Sequence, residues 1–492
     1  MKKQVGIVLM ILAAGICAKA QNDRDAFRYA QYSPTGTARY SALAGSMGAF
    51  GSDFSCLSAG NPAGIGLFKR FEFTFTPSFS TDRVASFYNG EEHSMAKSDF
   101  FYLNNLGFVF VGKADTATGW RTTQFATGLN NLARYNNGLS VVAGQNEGMT
   151  SFCDYLAAIA NGTSTTALKK YDKDASPMRF AYEAWNAYLI DDYPQDEYES
   201  RVDADFNQKQ VRNTDGYLNE YVFSWGGNYN DKLFLGATVG IPFFKYSQRT
   251  TYTESRNPYY DTLIVFDEFS SRATGVNLKL GIIYQPLKYL RLGAAFHTPT
   301  VYPNVKETYR NSFDVWNIID SVTDITSDID DMHYNYWLRT PYHAIGSIAF
   351  IYKNRGFINI DYEYVDYTVS ELRAKQASDY TFSYENACIN DYYKGSHIVR
   401  IGGELNLSPL VLRAGYAYSS DPYREYVEKD GSRHIISAGI GIKKRTFFAD
   451  FAYMYRFSKD ADKFYDHSSL NPYTMDITNQ LFALTIGWKI RM

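Results

Sequence analysis

The sequence predicts an all-β protein, a transmembrane antiparallel β-barrel of about 14 strands. Three observations predict it. Runs with period-two alternation recur along most of the chain, as half-buried strands require. Connections alternate between short turns and long loops, which is how a barrel with its turns on one side of a membrane and its loops on the other is built. The composition is 17% aromatic and yet 21% charged, a mixture that suits a wall in which only every second residue meets lipid.

In chain order, Lys2 and Lys3, the apolar run from Val5 to Cys17 and then Ala18-Lys19-Ala20 read as a secretory signal, residues 1–20, with the mature chain starting at Gln21. Cys17 follows Ile16 rather than a small residue, which argues against lipid attachment there. No later stretch has the ~18 to 20 consecutive apolar residues of a spanning helix. A net charge of −3 without a basic block argues against nucleic acid as a partner.

The stretch from Arg39 to Leu67 is crowded with Gly, Ala and Ser, so its backbone can pass close to surrounding walls. At Asn61-Pro62-Ala63-Gly64 the proline fixes its own φ and pushes Asn61 toward an extended conformation, while Gly64 is free to take a positive φ, predicting a sharp corner. Arg39, Ala42, Gly45, Gly48-Ala49, Asp53 and Asn61-Pro62-Ala63-Gly64-Ile65 together resemble the N-terminal plug of the FadL-like (OMPP1/FadL/TodX) outer-membrane transport proteins. Gly281 to Pro286, Leu290 to Pro299 and Leu412 to Tyr418 are similar to strands of the same family.

That resemblance implies a hatch over residues 21–68 inside a barrel over residues 69–492, with a long helical loop at about 136–215. It also implies residence in a Gram-negative outer membrane and passive uptake of hydrophobic molecules such as long-chain fatty acids, with Asn61, Pro62, Ala63 and Gly64 as plug or gating residues. Two other functions fit the same scaffold: a carrier in protein secretion, and a receptor for haem or an aromatic compound. The implied partners are outer-membrane lipid and lipopolysaccharide, a hydrophobic small-molecule ligand and the barrel-assembly machinery during insertion, around a monomeric barrel. The third strand of such a barrel can kink and open sideways, for which Gly128 and Asn130-Asn131 are the places to look.

The predicted strands are Phe71 to Phe79, Asp99 to Val111, Trp120 to Tyr135, Gly216 to Asn228, Leu233 to Tyr246, Ala273 to Gln285, Tyr289 to Asn304 and Tyr334 to Tyr352. Gly356 to Ser370, Ser396 to Leu407, Leu410 to Ser419, Arg433 to Ile442, Thr446 to Phe457 and Met475 to Met492 complete the set. Asn230-Asp231, Pro286 to Lys288, Lys353 to Arg355, Ser408-Pro409 and Lys443 to Arg445 are the short turns. Parity then sorts the faces. In Val276 to Tyr284 the even positions are apolar and Lys279 is odd; a one-residue slip would drive Lys279 into lipid at about 2–4 kcal/mol.

The same parity turns Arg291, Asp361, Glu363, Arg400, Glu404 and Arg413 inward, as does that of Asp450 and Arg456. These charges predict either a lumen salt-bridge network or, at Arg291, Arg400 or Arg413, a seat for a substrate carboxylate. The last strand carries Phe482, Leu484, Ile486, Trp488, Ile490 and Met492 on its lipid face.

Within the long loop, Ser176-Pro177 is an N-cap and first-turn pair that starts a helix through Phe180, Ala184, Trp185, Tyr188 and Leu189, with a shorter helix from Ser151 to Ala160. Extracellular helices of the family form a groove for hydrophobic ligands, so the resemblance makes Phe180, Trp185, Tyr188 and Leu189 capture candidates. Asp324, Asp328, Asp330 and Asp331 form an acidic loop cluster, read as solvated rather than as a calcium or bridged-lipopolysaccharide site. Cys56, Cys153 and Cys388 are odd in number, and no disulfide is assigned. None of the seven His has metal-site spacing, and HExxH, CxxC, GxSxG and Walker A motifs are missing, so neither an enzyme nor a cofactor is predicted.

Overall fold

A computed structural model describes residues 23–490 apart from 90, 114–115, 144–149, 173–176, 203–205, 320–323, 329–330, 354, 376–380, 426, 428–429 and 469. The signal segment, Ser176, Asp330 and Met492 therefore lie outside the described residues. The fold is a closed antiparallel barrel of 14 strands. In order they are β1 (Phe71–Tyr88), β2 (Glu91–Lys113), β3 (Trp120–Arg134), β4 (Asn207–Tyr229) and β5 (Leu233–Ser255). Three strands are each interrupted once: β6 (Thr262–Thr274, Asn277–Leu287), β7 (Leu290–His297, Val301–Trp316) and β8 (Met332–Arg339, His343–Tyr352).

The wall continues through β9 (Gly356–Asp366), β10 (Gly395–Leu407), β11 (Leu410–Ser419), β12 (Arg433–Lys443), β13 (Phe447–Asp462) and β14 (Tyr473–Ile490). It closes where β1 pairs with β14, Phe71 opposite Ile490. Closure removes the free edges that an open sheet would expose to hydrocarbon.

Parity holds around the cylinder. Leu278, Leu280, Ile282 and Tyr284 are exposed on the outer face, and Lys279 is 1% exposed on the inner one. Near the outer end of the apolar band, aromatic and histidine side chains meet across strands, Tyr362 with His397 and Tyr416 with His434. Trp488, Tyr289 and Tyr352 are exposed toward the short-turn end. Such girdles mark the two membrane interfaces.

The strands differ from the sequence expectation mainly at their outer ends. β1 and β2 run on to meet in a tight hairpin, with Tyr88 opposite Glu91, where the alternation predicts a long loop between Phe79 and Asp99. β5 and β6 likewise extend to Ser255 and from Thr262. Beyond the bilayer both faces of a strand are wetted, so the apolar and polar alternation that reveals a strand fades although the ladder continues.

Candidate functional site: a keyed plug, a break in the wall and an outer chamber

Residues 23–68 run down the bore as short helices and turns: α1 (Asp23–Ala30), α2 (Ala38–Ala42), α3 (Cys56–Ala59) and a 3-10 turn at Pro62–Leu67. Tyr29, Leu43, Met47, Phe54 and Ile65 are at most 1% exposed. Thr37 caps α2 through Tyr40 N–H and donates its hydroxyl to Asp53 at 2.8 Å. Burial pushes the Asp53 carboxyl upward, against the pull of the Arg39 guanidinium and of the hydrogen bonds from Thr37 and Ser55 N–H. Asn61 is extended, as the following proline requires, and its side chain caps Ala63 N–H at 3.0 Å. Gly64 does not take the expected positive φ. It lies inside the 3-10 turn, and its missing side chain lets the backbone of Gly51 approach; left-handed conformations fall instead at Ala44-Gly45 and Gly51-Ser52.

The seven lumen candidates are brought to this plug or to groups that hold it. Glu404 joins Arg39 of the plug (2.7 Å) to Arg413 (2.8 Å), which continues to Asp450 (2.6 Å). Asp361 accepts Met47 N–H at 2.9 Å and Gly48 N–H at 3.1 Å. Arg291 donates to the carbonyl of Phe50 at 3.1 Å. Lys279 pairs with Glu220 and donates to the Ser58 carbonyl at 2.6 Å, while Ser58 donates its hydroxyl to Glu220 at 2.6 Å. Glu363 stands between His343 and Arg400, at 2.6 Å from each. Of the two roles open to these charges, a protein network is the one the contacts describe, with Arg400 and Arg413 each facing a protein carboxylate and Arg291 a backbone carbonyl.

Wall glycines complete the fit, and sequence reasoning missed them as sockets. Side chains at Gly236 and Gly281 would overlap the Pro62 carbonyl and the Asn61 amide. At Gly107 and Gly128, paired across β2 and β3, an added Cβ would lie 2.5 and 2.6 Å from the Phe54 ring. Their signal is non-local, because each glycine answers a plug residue far away in sequence.

Above Phe54 the wall breaks. The β2–β3 ladder runs from Lys113 opposite Thr122 to Asn105 opposite Asn130 and, among the described residues, stops there. β3 stays paired with β4, but Leu132 is an extra residue between the Asn131 and Ala133 pairings, a bulge that turns the strand. Its continuation, Asn137–Ala143, crosses toward the inner face of β1, where the buried Ser86 hydroxyl donates to the Ser140 carbonyl at 2.6 Å. The plug covers the strand left without its neighbour: Ser33 N–H donates to Leu132 at 2.8 Å and the Thr35 hydroxyl to Asn131 at 3.1 Å. Arg134 reaches across to stack its guanidinium 4.1 Å from the centre of the Tyr102 ring. Of the positions flagged for a kink, Asn130-Asn131 is where the ladder ends.

At the outer end lies a chamber of about 730 Å³, lined by Phe152, Phe180, Tyr252, Phe269, Tyr309 and Tyr465 and by the charged Arg24, Arg28, Arg212 and Asp462. α1 reaches this chamber through Arg24, Asp25 and Arg28. Two loop helices cover it, α4 (Phe152–Ala160) and α5 (Pro177–Asn186). α4 carries a capping box on Ser151, and the buried Glu254 ties that cap to β5, accepting Ser151 Oγ at 2.8 Å and Phe152 N–H at 2.5 Å. Of the four capture candidates only Phe180 lines the chamber. α5 ends at Asn186, short of Leu189, because Tyr188 adopts φ +61° and turns the chain. Leu189 is consequently buried away at 1%, Tyr188 is 56% exposed to solvent, and Trp185 donates to Asp192 at 2.9 Å.

The acidic loop cluster lies partly outside the described residues, and Asp324 accepts Asn317 N–H at 2.7 Å. Among the described residues no group of His, Cys, Asp and Glu is arranged to hold a metal ion. Cys56 and Cys153 are buried, and all three thiols stand outside any disulfide.

No protein-family model matches the sequence, and no curated protein matches it. Solved structures do match the fold. A Pseudomonas aeruginosa FadL homologue aligns over 94% of this chain and all of its own, with TM-score 0.53 and 13% identity. The P. putida toluene transporter TodX aligns over 93% of this chain and 99% of its own, with TM-score 0.53 and 12% identity. The likeness is one of fold: a plugged 14-stranded barrel of the FadL type.

Proposed function

We propose that this FadL-type barrel is an outer-membrane channel for passive uptake of small hydrophobic molecules. A ligand would bind in the aromatic outer chamber, descend beside α1 and leave sideways through the break between β2 and β3. The single observation that carries the reading is that break: the β2–β3 ladder ends at Asn105 and Asn130, and among the described residues side chains, the plug segment at Ser33 to Thr35 and the inward-turned Asn137–Ala143 cover the gap. Burial of apolar area at about 25 cal/mol per Å² drives transfer out of water, so the route requires no energy source.

In this reading the chamber, at about 730 Å³, would take a long-chain fatty acid or a substituted aromatic. Its tyrosines and ion-paired arginines favour an amphipathic molecule, a ring or chain with one polar end, over a pure hydrocarbon. The element that moves in this reading is the segment 23–36, because the corner at Asn61 to Gly64 is held by backbone contact against the wall.

Uptake of oleate, p-cresol and toluene into liposomes carrying the pure protein tests the proposal. Deleting Leu132 removes the bulge and lets β3 continue alongside β2, so uptake is expected to fall to the level of empty liposomes while the barrel stays folded. Unchanged uptake in that variant would sink the lateral route. No uptake of any probe by the wild type would sink the channel and favour the secretion carrier.

A further inference from the structure

We propose that the outer face of β5 to β8 binds the phosphorylated headgroup of lipopolysaccharide. Cross-strand register puts Lys245 directly opposite Arg272, Arg272 opposite Lys306, and Lys306 opposite Asn335. Tyr336 pairs with Ala374, which sets the next residue, Lys375, beside Asn335. All four cations are exposed, and none forms an ion pair with a described residue. With His333 they line a groove of about 540 Å³, to which Glu307 also contributes.

Like charges placed directly across a β-ladder repel. A row of them is explained by a bound anion that outweighs the repulsion. The acids nearby are already committed, Glu268 to Arg249 at 2.6 Å and Glu371 to Arg339 at 2.9 Å, while Glu307 points inward and receives the Tyr336 hydroxyl at 2.5 Å.

Height identifies the anion. Lys245 stands about twelve residues above Leu233 at the short-turn end; at ~3.4 Å per residue and a tilt of ~40° this is ~30 Å, just above an apolar band ~25 Å tall. Below the row the outer face is apolar, with Phe243 stacked on Tyr221 and Val276 and Leu278 exposed. Cations above an apolar surface at the outer interface match a lipid that carries phosphate at its sugar headgroup and acyl chains beneath. Arg272 supplies the planar donor fork suited to phosphate, and the flanking lysines supply mobile charge.

The proposal rests on the outer-membrane reading of the barrel and is independent of transport. In neutral detergent, lipid A is expected to raise the thermal midpoint of the wild-type protein, and phosphatidylglycerol is expected to raise it less. A K245Q/R272Q/K306Q variant is expected to bind lipid A about a hundredfold more weakly, at ~1 kcal/mol per cation. Without lipid A the variant should melt at or above the wild-type temperature, since its cross-strand repulsion is gone. Equal lipid A binding by variant and wild type, or equal responses to lipid A and phosphatidylglycerol, would overturn the site. Uptake by the variant should match wild type, so a failure of this proposal is separable from a failure of the channel.

Discussion

At Gly281 one methyl group decides whether the plug seats, because a Cβ there enters the space of the Asn61 amide, which in turn donates to the Ile282 carbonyl at 3.1 Å. Gly281→Ala is therefore expected to weaken plug docking by about 1–3 kcal/mol, read as increased ion conductance in planar bilayers. Glu404 presents the opposite case, one carboxylate serving two guanidiniums. Glu404→Ala leaves Arg39 and Arg413 partly uncompensated and should cost about 3–5 kcal/mol, seen as a lower unfolding midpoint and faster trypsin cleavage after Arg39. The inward placement of Lys279, Asp361, Arg400, Glu404 and Arg413 was legible from parity, since period two leaves each strand only one register that keeps charge out of lipid. Their partners were not, because Arg39 and Met47 approach from more than 300 residues away.

β3 carries the structural asymmetry of the wall. Its lower half is an ordinary ladder, and above Asn130 it trades a neighbouring strand for a cover of two plug hydrogen bonds and one stacked arginine. Thr35→Val removes the side-chain bond to Asn131 and is expected to raise the liposome uptake rate about two- to tenfold, the equivalent of roughly 0.5–1.5 kcal/mol of lost hydrogen bonding. The family resemblance pointed to a kink in this strand, with Gly128 or Asn130-Asn131 as its place; Gly128 is regularly paired, and the bulge falls at Leu132, beside the second of these. The strand tips stayed hidden for a different reason: outside the bilayer there is no lipid to impose alternation, so β1 and β2 read as loop where they are ladder. α5 was legible from its apolar stripe, but its end was not, since nothing in the stripe forecasts that Tyr188 turns left-handed.

Across the whole molecule, fourteen strands close by pairing the first with the last. Such a cylinder opens only by cooperative rupture of its ladders. Unheated protein in dodecyl sulfate is expected to migrate ahead of the boiled chain, and a single migration rate for both would contradict closure. The barrel was legible because its repeating signal covers most of the chain, whereas the chamber and the cation row draw on residues from several strands and emerge only once register is known.

The leader descends the bore from Arg24, near Asp462, to Phe71, where the first strand joins the last. Along the way β10 clasps its arginine and β9 its backbone amides. Insertion is therefore expected to lay this segment against a half-made sheet and close the β1–β14 seam over it last, and trypsin cleavage after Arg39 in a wild-type barrel already closed would contradict that order.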